Sequence, residues 1–172
     1  MKAILLLILF SAVTIHAQQT RLIPNPIRKI PKWVRTEFVS RHLDDNYAIL
    51  YKLFPAYLRS DFNGDGRRDV AVQVQDIRSG KIGIAIFHGK YPQAAFVHVD
   101  ILGAGNRLGS AGDDFKWIDI WRLHSRTAVY SELKETPPKN SGGEAFDLQK
   151  RGGKSGYIYW DGKQYRWGEW KQ

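Results

Sequence analysis

The sequence predicts a mostly β (α+β) domain, an antiparallel sheet with one N-terminal helix and a hairpin built on an acidic loop. Three observations carry that expectation. Val70, Val72 and Val74 alternate with Ala71, Gln73 and Gln75. Ile82, Ile84 and Ile86 alternate in the same way with Gly83, Ala85 and Phe87, which is the two-residue period of a strand. Near the end, residues 157–160 and 165–170 flank Asp161-Gly162-Lys163, a short-hairpin signal.

The elements follow in chain order. After Lys2 the residues from Ala3 to Phe10 are all apolar, and small residues lead to Ala17, so residues 1–17 read as a removable secretory signal. A helix of that length spans only about 16 Å, roughly half the hydrocarbon core of a bilayer, so no permanent membrane anchor is expected. Residues 18–30 form a lead-in containing Pro24 and Pro26, and Pro31 opens the domain that runs over 31–172. Val34, Phe38, Val39 and Leu43 then make an apolar stripe among Arg35, Glu37 and Arg41, which predicts a helix ending near Asp44-Asp45-Asn46. Residues 47–54, with Tyr57 and Leu58, supply the strand ahead of the acidic loop. Val97, Val99 and Ile101 predict a further strand, and 115–123, 127–133 and 145–149 are strand candidates. The polar stretch 135–143 reads as a surface loop.

Composition limits the chemistry. The chain has 172 residues and no cysteine, which excludes a disulfide scaffold, a thiolate zinc site, an iron–sulfur cluster and a cysteine nucleophile. It carries 26 Lys and Arg against 17 Asp and Glu; losing Lys2 with the leader leaves 25 against 17, a net +8. For an exported protein without disulfides, stability must come from the core, from a metal, or from both. The basic clusters Arg67-Arg68, Lys150-Arg151 and Lys154 suit an anionic glycan or envelope polymer, whereas export makes nucleic acid an unexpected partner.

The most informative segment is Asp61-Phe62-Asn63-Gly64-Asp65-Gly66-Arg67-Arg68-Asp69-Val70. Oxygen-bearing side chains recur at positions 1, 3, 5 and 9, with Gly66 at the sixth, where a cation loop turns sharply. Asp61, Asn63, Asp65 and Asp69, with the backbone carbonyl of Arg67, could supply the hard oxygen ligands that calcium takes. An EF-hand would place a bidentate Glu at position 12, but Val72 stands there inside a strand pattern, so the context is strand–loop–strand. Adjacent arginines and the missing Glu predict weak affinity, about 0.1 to 1 mM.

The segment DFNGDGRRDVAV resembles the calcium loop of the FG-GAP/VCBS type, in which a DxDxDGxxD-like motif precedes an apolar strand. That resemblance implies cation ligation by Asp61, Asn63, Asp65 and Asp69. Family members commonly repeat the loop in propeller blades used for adhesion; this chain carries one copy, so neither the propeller nor the adhesion role transfers. The stretches DDFKWIDIW and SGYIYWDGKQYRW resemble small uncharacterised secreted bacterial proteins with a single such loop.

Other constellations are less specific. Trp117, Asp119 and Trp121 would share a strand face, where a carboxylate between indoles could bind sugar or simply be a paired carboxylate in a covered strand. Tyr157, Tyr159, Tyr165 and Trp167 could form a glycan platform or pack the hairpin. His88, His98 and His124 lie beside different strands with no HExxH pair, so a zinc site would require them to meet in space. No GxSxG elbow occurs, and Gly103, Gly105 and Gly109 do not match GxGxxG. The expected function is therefore that of a secreted or periplasmic calcium-stabilised binding or interaction protein. A glycan- or envelope-polymer-binding module is the alternative, and a cell-envelope enzyme is third.

Overall fold

Helix α1 (Lys32–Ser40) starts at Pro31, whose fixed φ and missing N–H suit a helix entrance. The computed structural model describes residues 29–89, 97–139 and 142–170, so the expected leader over 1–17 and nearly all of the expected lead-in over 18–30 lie outside the described residues. The helix ends at Ser40, earlier than the apolar stripe suggests. His42 then takes a left-handed conformation ahead of a short 3₁₀ turn, Leu43–Asp45. Val34 and Phe38 are buried, whereas Val39 faces solvent.

Two antiparallel sheets follow. The first contains β1 (Tyr47–Ile49), β2 (Tyr57–Ser60), β3 (Asp69–Asp76), β4 (Ile82–Phe87) and β5 (Val99–Gly103). Strand β3 is its organising element. Its C-terminal half pairs with β1 (Tyr47 opposite Asp76) and its N-terminal half with β2 (Ser60 opposite Asp69), while β4 runs along its other side. The second sheet is β6 (Ile120–Ser125), β7 (Glu144–Gln149), β8 (Ser155–Trp160) and β9 (Tyr165–Glu169), paired in chain order. A second helix, α2 (Arg126–Leu133), is inserted between β6 and β7.

The layers are helix, sheet, sheet, helix, and the two-residue period assigns each strand side chain to one of three cores. Ala71, Ile84 and Ile86 of the first sheet meet Phe146, Leu148 and Ile158 of the second, with Phe62, Phe115 and Trp121 filling the gap between them. The opposite face of the first sheet, Val70, Val72, Val74, Ala85 and Phe87, packs on Val34 and Phe38 of α1. Behind the second sheet, Ala145, Tyr157 and Tyr159 pack on Val129 and Tyr130 of α2. Strand β4 is consequently buried at every residue from Ile82 to Phe87.

Several expectations are corrected. Residues 127–133 are helical, because Arg126, Val129 and Tyr130 recur at helical spacing and bury one face. The strand expected over 115–123 begins only at Ile120, and Ile118 and Trp121 both enter the central core. Trp117, Asp119 and Trp121 therefore do not form one strand face. Asp119 is exposed and accepts the Arg151 backbone N–H at 2.9 Å. The four hairpin aromatics are divided between layers: Tyr157 and Tyr159 face α2, Tyr165 enters the central core, and Trp167 packs at its margin. They pack the hairpin and do not make a platform. Gly103 and Gly105, both at positive φ, belong to a tight turn closed by a Gly103–Asn106 bridge.

Candidate metal centres

The acidic loop connects β2 to β3 and is held by its own side chains. Asp61 Oδ1 accepts the N–H groups of Gly64 at 2.6 Å and Asp65 at 3.2 Å, and its Oδ2 accepts that of Gly66 at 2.9 Å. Asn63 Oδ1 accepts the Asp65 N–H at 3.1 Å, and Asp65 Oδ1 accepts the Arg67 N–H at 2.8 Å. Gly64 and Gly66 supply the positive φ angles of the turn, 79° and 82°. A carboxylate has about four lone-pair directions, so these bonds shape the loop and leave acceptor capacity on Asp61 and Asp65.

Asp69 behaves differently. It is fully buried as the first residue of β3, with Oδ2 accepting the Phe62 N–H and Oδ1 the Gly89 N–H, each at 2.8 Å. The structure thus gathers Asp61, Asn63, Asp65 and the Arg67 backbone into one turn and ties Asp69 to that turn through Phe62.

The same loop is fastened to the second sheet. The Asp61 carbonyl accepts the Glu144 N–H at 2.9 Å, and the Phe62 carbonyl accepts Arg126 Nη1 at 3.1 Å. Phe62 stacks on Phe146 with ring centroids 4.3 Å apart. Burial works against the charge of Arg126, and Tyr130, Asp61 and Tyr165 work to retain it. Asp61 therefore has a guanidinium within electrostatic reach that comes from the far side of the sandwich.

A second cluster lies at the β4–β5 edge. His88 follows β4 and His98 precedes β5, and the His88 N–H donates to the His98 carbonyl at 3.0 Å, extending the ladder by one pair. Asp100, two residues after His98, falls on the same side of β5. Its Oδ2 lies 2.9 Å from His88 Nε2 and 3.3 Å from His98 Nε2. The two rings stack at 5.3 Å, and Tyr165 stacks on His88 at 6.1 Å. Among the described residues, His88, His98 and Asp100 are the trio of histidine or carboxylate side chains whose ligand atoms all lie within 4.8 Å. Asp61, Asp65 and Asp69 do not close to that spacing. His124 is elsewhere, paired with Glu132 and stacked on Tyr157.

No family model matches the chain, and neither a curated protein nor a solved structure does.

Charge couples the two centres through Asp69, whose Oδ2 faces His88 Nδ1 at 3.4 Å. Burial alone would favour the neutral ring, but the hydrogen bond to Asp100 and the close carboxylates of Asp69 and Asp100 outweigh it and hold His88 at a pKa of about 9. Burial likewise opposes the charge on Asp100, and the two histidines bring its pKa down. The Tyr165 hydroxyl is buried without a hydrogen bond. Its pKa is pushed well up by burial, then by the charges of Asp69 and Asp100.

Because the folded-state value for His88 exceeds the ordinary 6.5, its contribution to stability is fully present below pH 6.5 and is lost as pH rises through about 9. In chelator-treated protein, urea melts between pH 6 and 9.5 should show a decline that is shallower in Asp100→Asn; equal slopes in the two proteins would reject this assignment.

The surface indoles are already engaged. Lys154 Nζ sits 5.2 Å from the Trp117 ring and 5.4 Å from the Trp167 ring, and the two rings meet edge-on at 5.6 Å. It also donates to the Ser110 carbonyl. Lys154 thus lies over both indoles of this patch.

Proposed function

We propose that the chain is an exported, β-rich binding or interaction domain whose acidic loop takes a structural calcium ion, with an unidentified protein or an anionic envelope polymer as partner. The observation that carries the metal reading is the position of the loop between the sheets. Asp61 and Phe62 are bonded to Glu144 and Arg126 across the sandwich, so an ion ordering this turn would stabilise both halves at once. The donors are hard oxygens from Asp61, Asn63, Asp65 and Asp69, with the Arg67 carbonyl, which suits calcium. Two features favour weak binding. The loop carboxylates must move closer together around an ion, and the Arg126 charge opposes a cation beside Asp61.

Export is the reading of the leader. Among the described residues no helix is long and apolar enough to cross a membrane. The basic excess supplies the attraction for a polyanionic partner.

The test is thermal. At 10 mM calcium, a site with a Kd of about 0.1 to 1 mM adds about 1.4–2.7 kcal/mol, a rise in Tm on the order of 5 °C. Asp65→Ala should melt at the same temperature with calcium or with chelator. Identical melting of the unmutated protein in the two conditions would end the structural-calcium reading.

A further inference from the structure

We propose that His88, His98 and Asp100 form a second metal site, one for a divalent transition ion of zinc-like chemistry, distinct in ligand type from the acidic loop. It goes beyond the calcium reading and does not depend on it.

Ligand chemistry is the first argument. Two imidazole nitrogens and one carboxylate oxygen suit zinc and neighbouring first-row ions, whereas calcium takes oxygen donors almost exclusively. Three protein ligands leave a fourth position for water. The solvent side is available, since the His98 side chain is 72% exposed and that of Asp100 is 29% exposed.

Distances provide the second argument. Tetrahedral ligands at about 2.0–2.2 Å from zinc lie roughly 3.3–3.5 Å from one another. Asp100 Oδ2 already stands 3.3 Å from His98 Nε2 and 2.9 Å from His88 Nε2. All three ligand atoms lie within 4.8 Å of one another, so an ion can be admitted by opening the Asp100–His88 contact and adjusting the exposed His98 ring. The proton that His88 Nε2 donates to Asp100 would leave for solvent as the metal takes its place.

A metal-bound histidine characteristically directs its other ring nitrogen at a carboxylate, which fixes the ring and raises its basicity. His88 is almost completely buried, and its Nδ1 makes no hydrogen bond, yet Asp69 Oδ2 stands 3.4 Å away. Asp69 is itself clamped by the Phe62 and Gly89 amides, so the orienting carboxylate is preset. Opening the Asp100–His88 contact to admit an ion would carry His88 toward Asp69, letting the Nδ1 contact settle into a carboxylate–histidine–metal relay. Asp69 and Asp100 together balance the charge of a divalent ion.

The full chain, stripped with chelator, should bind one equivalent of Co2+ with visible absorption bands and one of Zn2+ by competition with a chromophoric chelator. His98→Ala, at an exposed position where the fold is not at risk, should weaken Zn2+ binding at least 10-fold. Asp69→Asn should weaken it about 10-fold without removing a ligand. Asp65→Ala should leave Zn2+ affinity unchanged, and His98→Ala should keep the calcium-dependent rise in Tm. Equal Zn2+ affinity of the unmutated protein and His98→Ala, or no Co2+ bands at 1 mM metal, would overturn the second site. Loss of Zn2+ binding in Asp65→Ala would overturn its independence from the loop. The Co2+ and Zn2+ results do not depend on whether calcium binds.

Discussion

Asp69→Ala is expected to cost about 3–5 kcal/mol, a large part of the stability of an ordinary domain. The carboxylate is fully buried, and three groups face it: the Phe62 amide, the Gly89 amide and His88. Alanine would leave the amides without an acceptor and would remove one of the two carboxylates that balance the His88 charge. Asp69→Asn retains one acceptor oxygen and nearly the same shape, so its cost should be smaller, about 1–2 kcal/mol. Urea melts of the two variants in the presence of chelator separate the effects. If alanine and asparagine cost the same, or if alanine costs less than 1 kcal/mol, Asp69 is not the brace described here.

Gly143→Ala should cost about 3 kcal/mol. Gly143 has φ near 100°, and a Cβ placed on it would meet the Asp61 carbonyl oxygen at 2.3 Å. That oxygen belongs to the backbone and accepts the neighbouring Glu144 N–H, so relief of the clash must push the acidic loop away from the second sheet. Gly66→Ala is the control. It also has positive φ, 82°, but nothing lies within 4 Å of its would-be Cβ, so only the backbone conformation costs, about 1–2 kcal/mol. Gly143→Ala should also shrink the calcium-dependent rise in Tm, because the loop would no longer hold both sheets. A calcium response of full size in a destabilised Gly143→Ala would show that the ion acts within the loop alone.

The strands were legible where side-chain alternation and turn chemistry agreed. In β8 and β9 the turn works as its residues suggest: Asp161 Oδ1 accepts the N–H groups of Lys163 and Gln164, and Gly162 takes a positive φ of 97°. Residues 127–133 misled because Val129, Ser131 and Leu133 fit a two-residue period, while Arg126, Val129, Tyr130 and Leu133 fit a helical one. In eight residues the two cannot be separated, and packing on Tyr157 and Tyr159 decides the matter.

The acidic loop was visible because its residues are consecutive. Spacing could not reveal that Asp69 turns into the sheet, since its partners Phe62 and Gly89 are brought to it by tertiary structure. The histidine cluster was harder still. His98-Val99-Asp100 places two ligand types on one side of a strand, which is a local signal. His88 joins them only through the β4–β5 register, in which Phe87 lies opposite Val99. No local pattern encodes that pairing.

The divided pairing along β3 has a consequence for association between copies of the chain. A long unpaired strand edge is a template for another strand to add to. On the outer side of β3 the chain instead lays down two short strands, β1 and β2, and after Leu50, whose N–H still bonds to the Gln73 carbonyl, residues 51–56 leave the sheet between them. The exposed row of backbone groups is thus broken into lengths of three and four residues, with Arg59 projecting from the second. At the far edge of the other sheet, β9 is short and exposes Arg166 and Glu169. An incoming strand would find little continuous backbone to pair with and a charge beside it, so these edges oppose polymerisation by sheet extension.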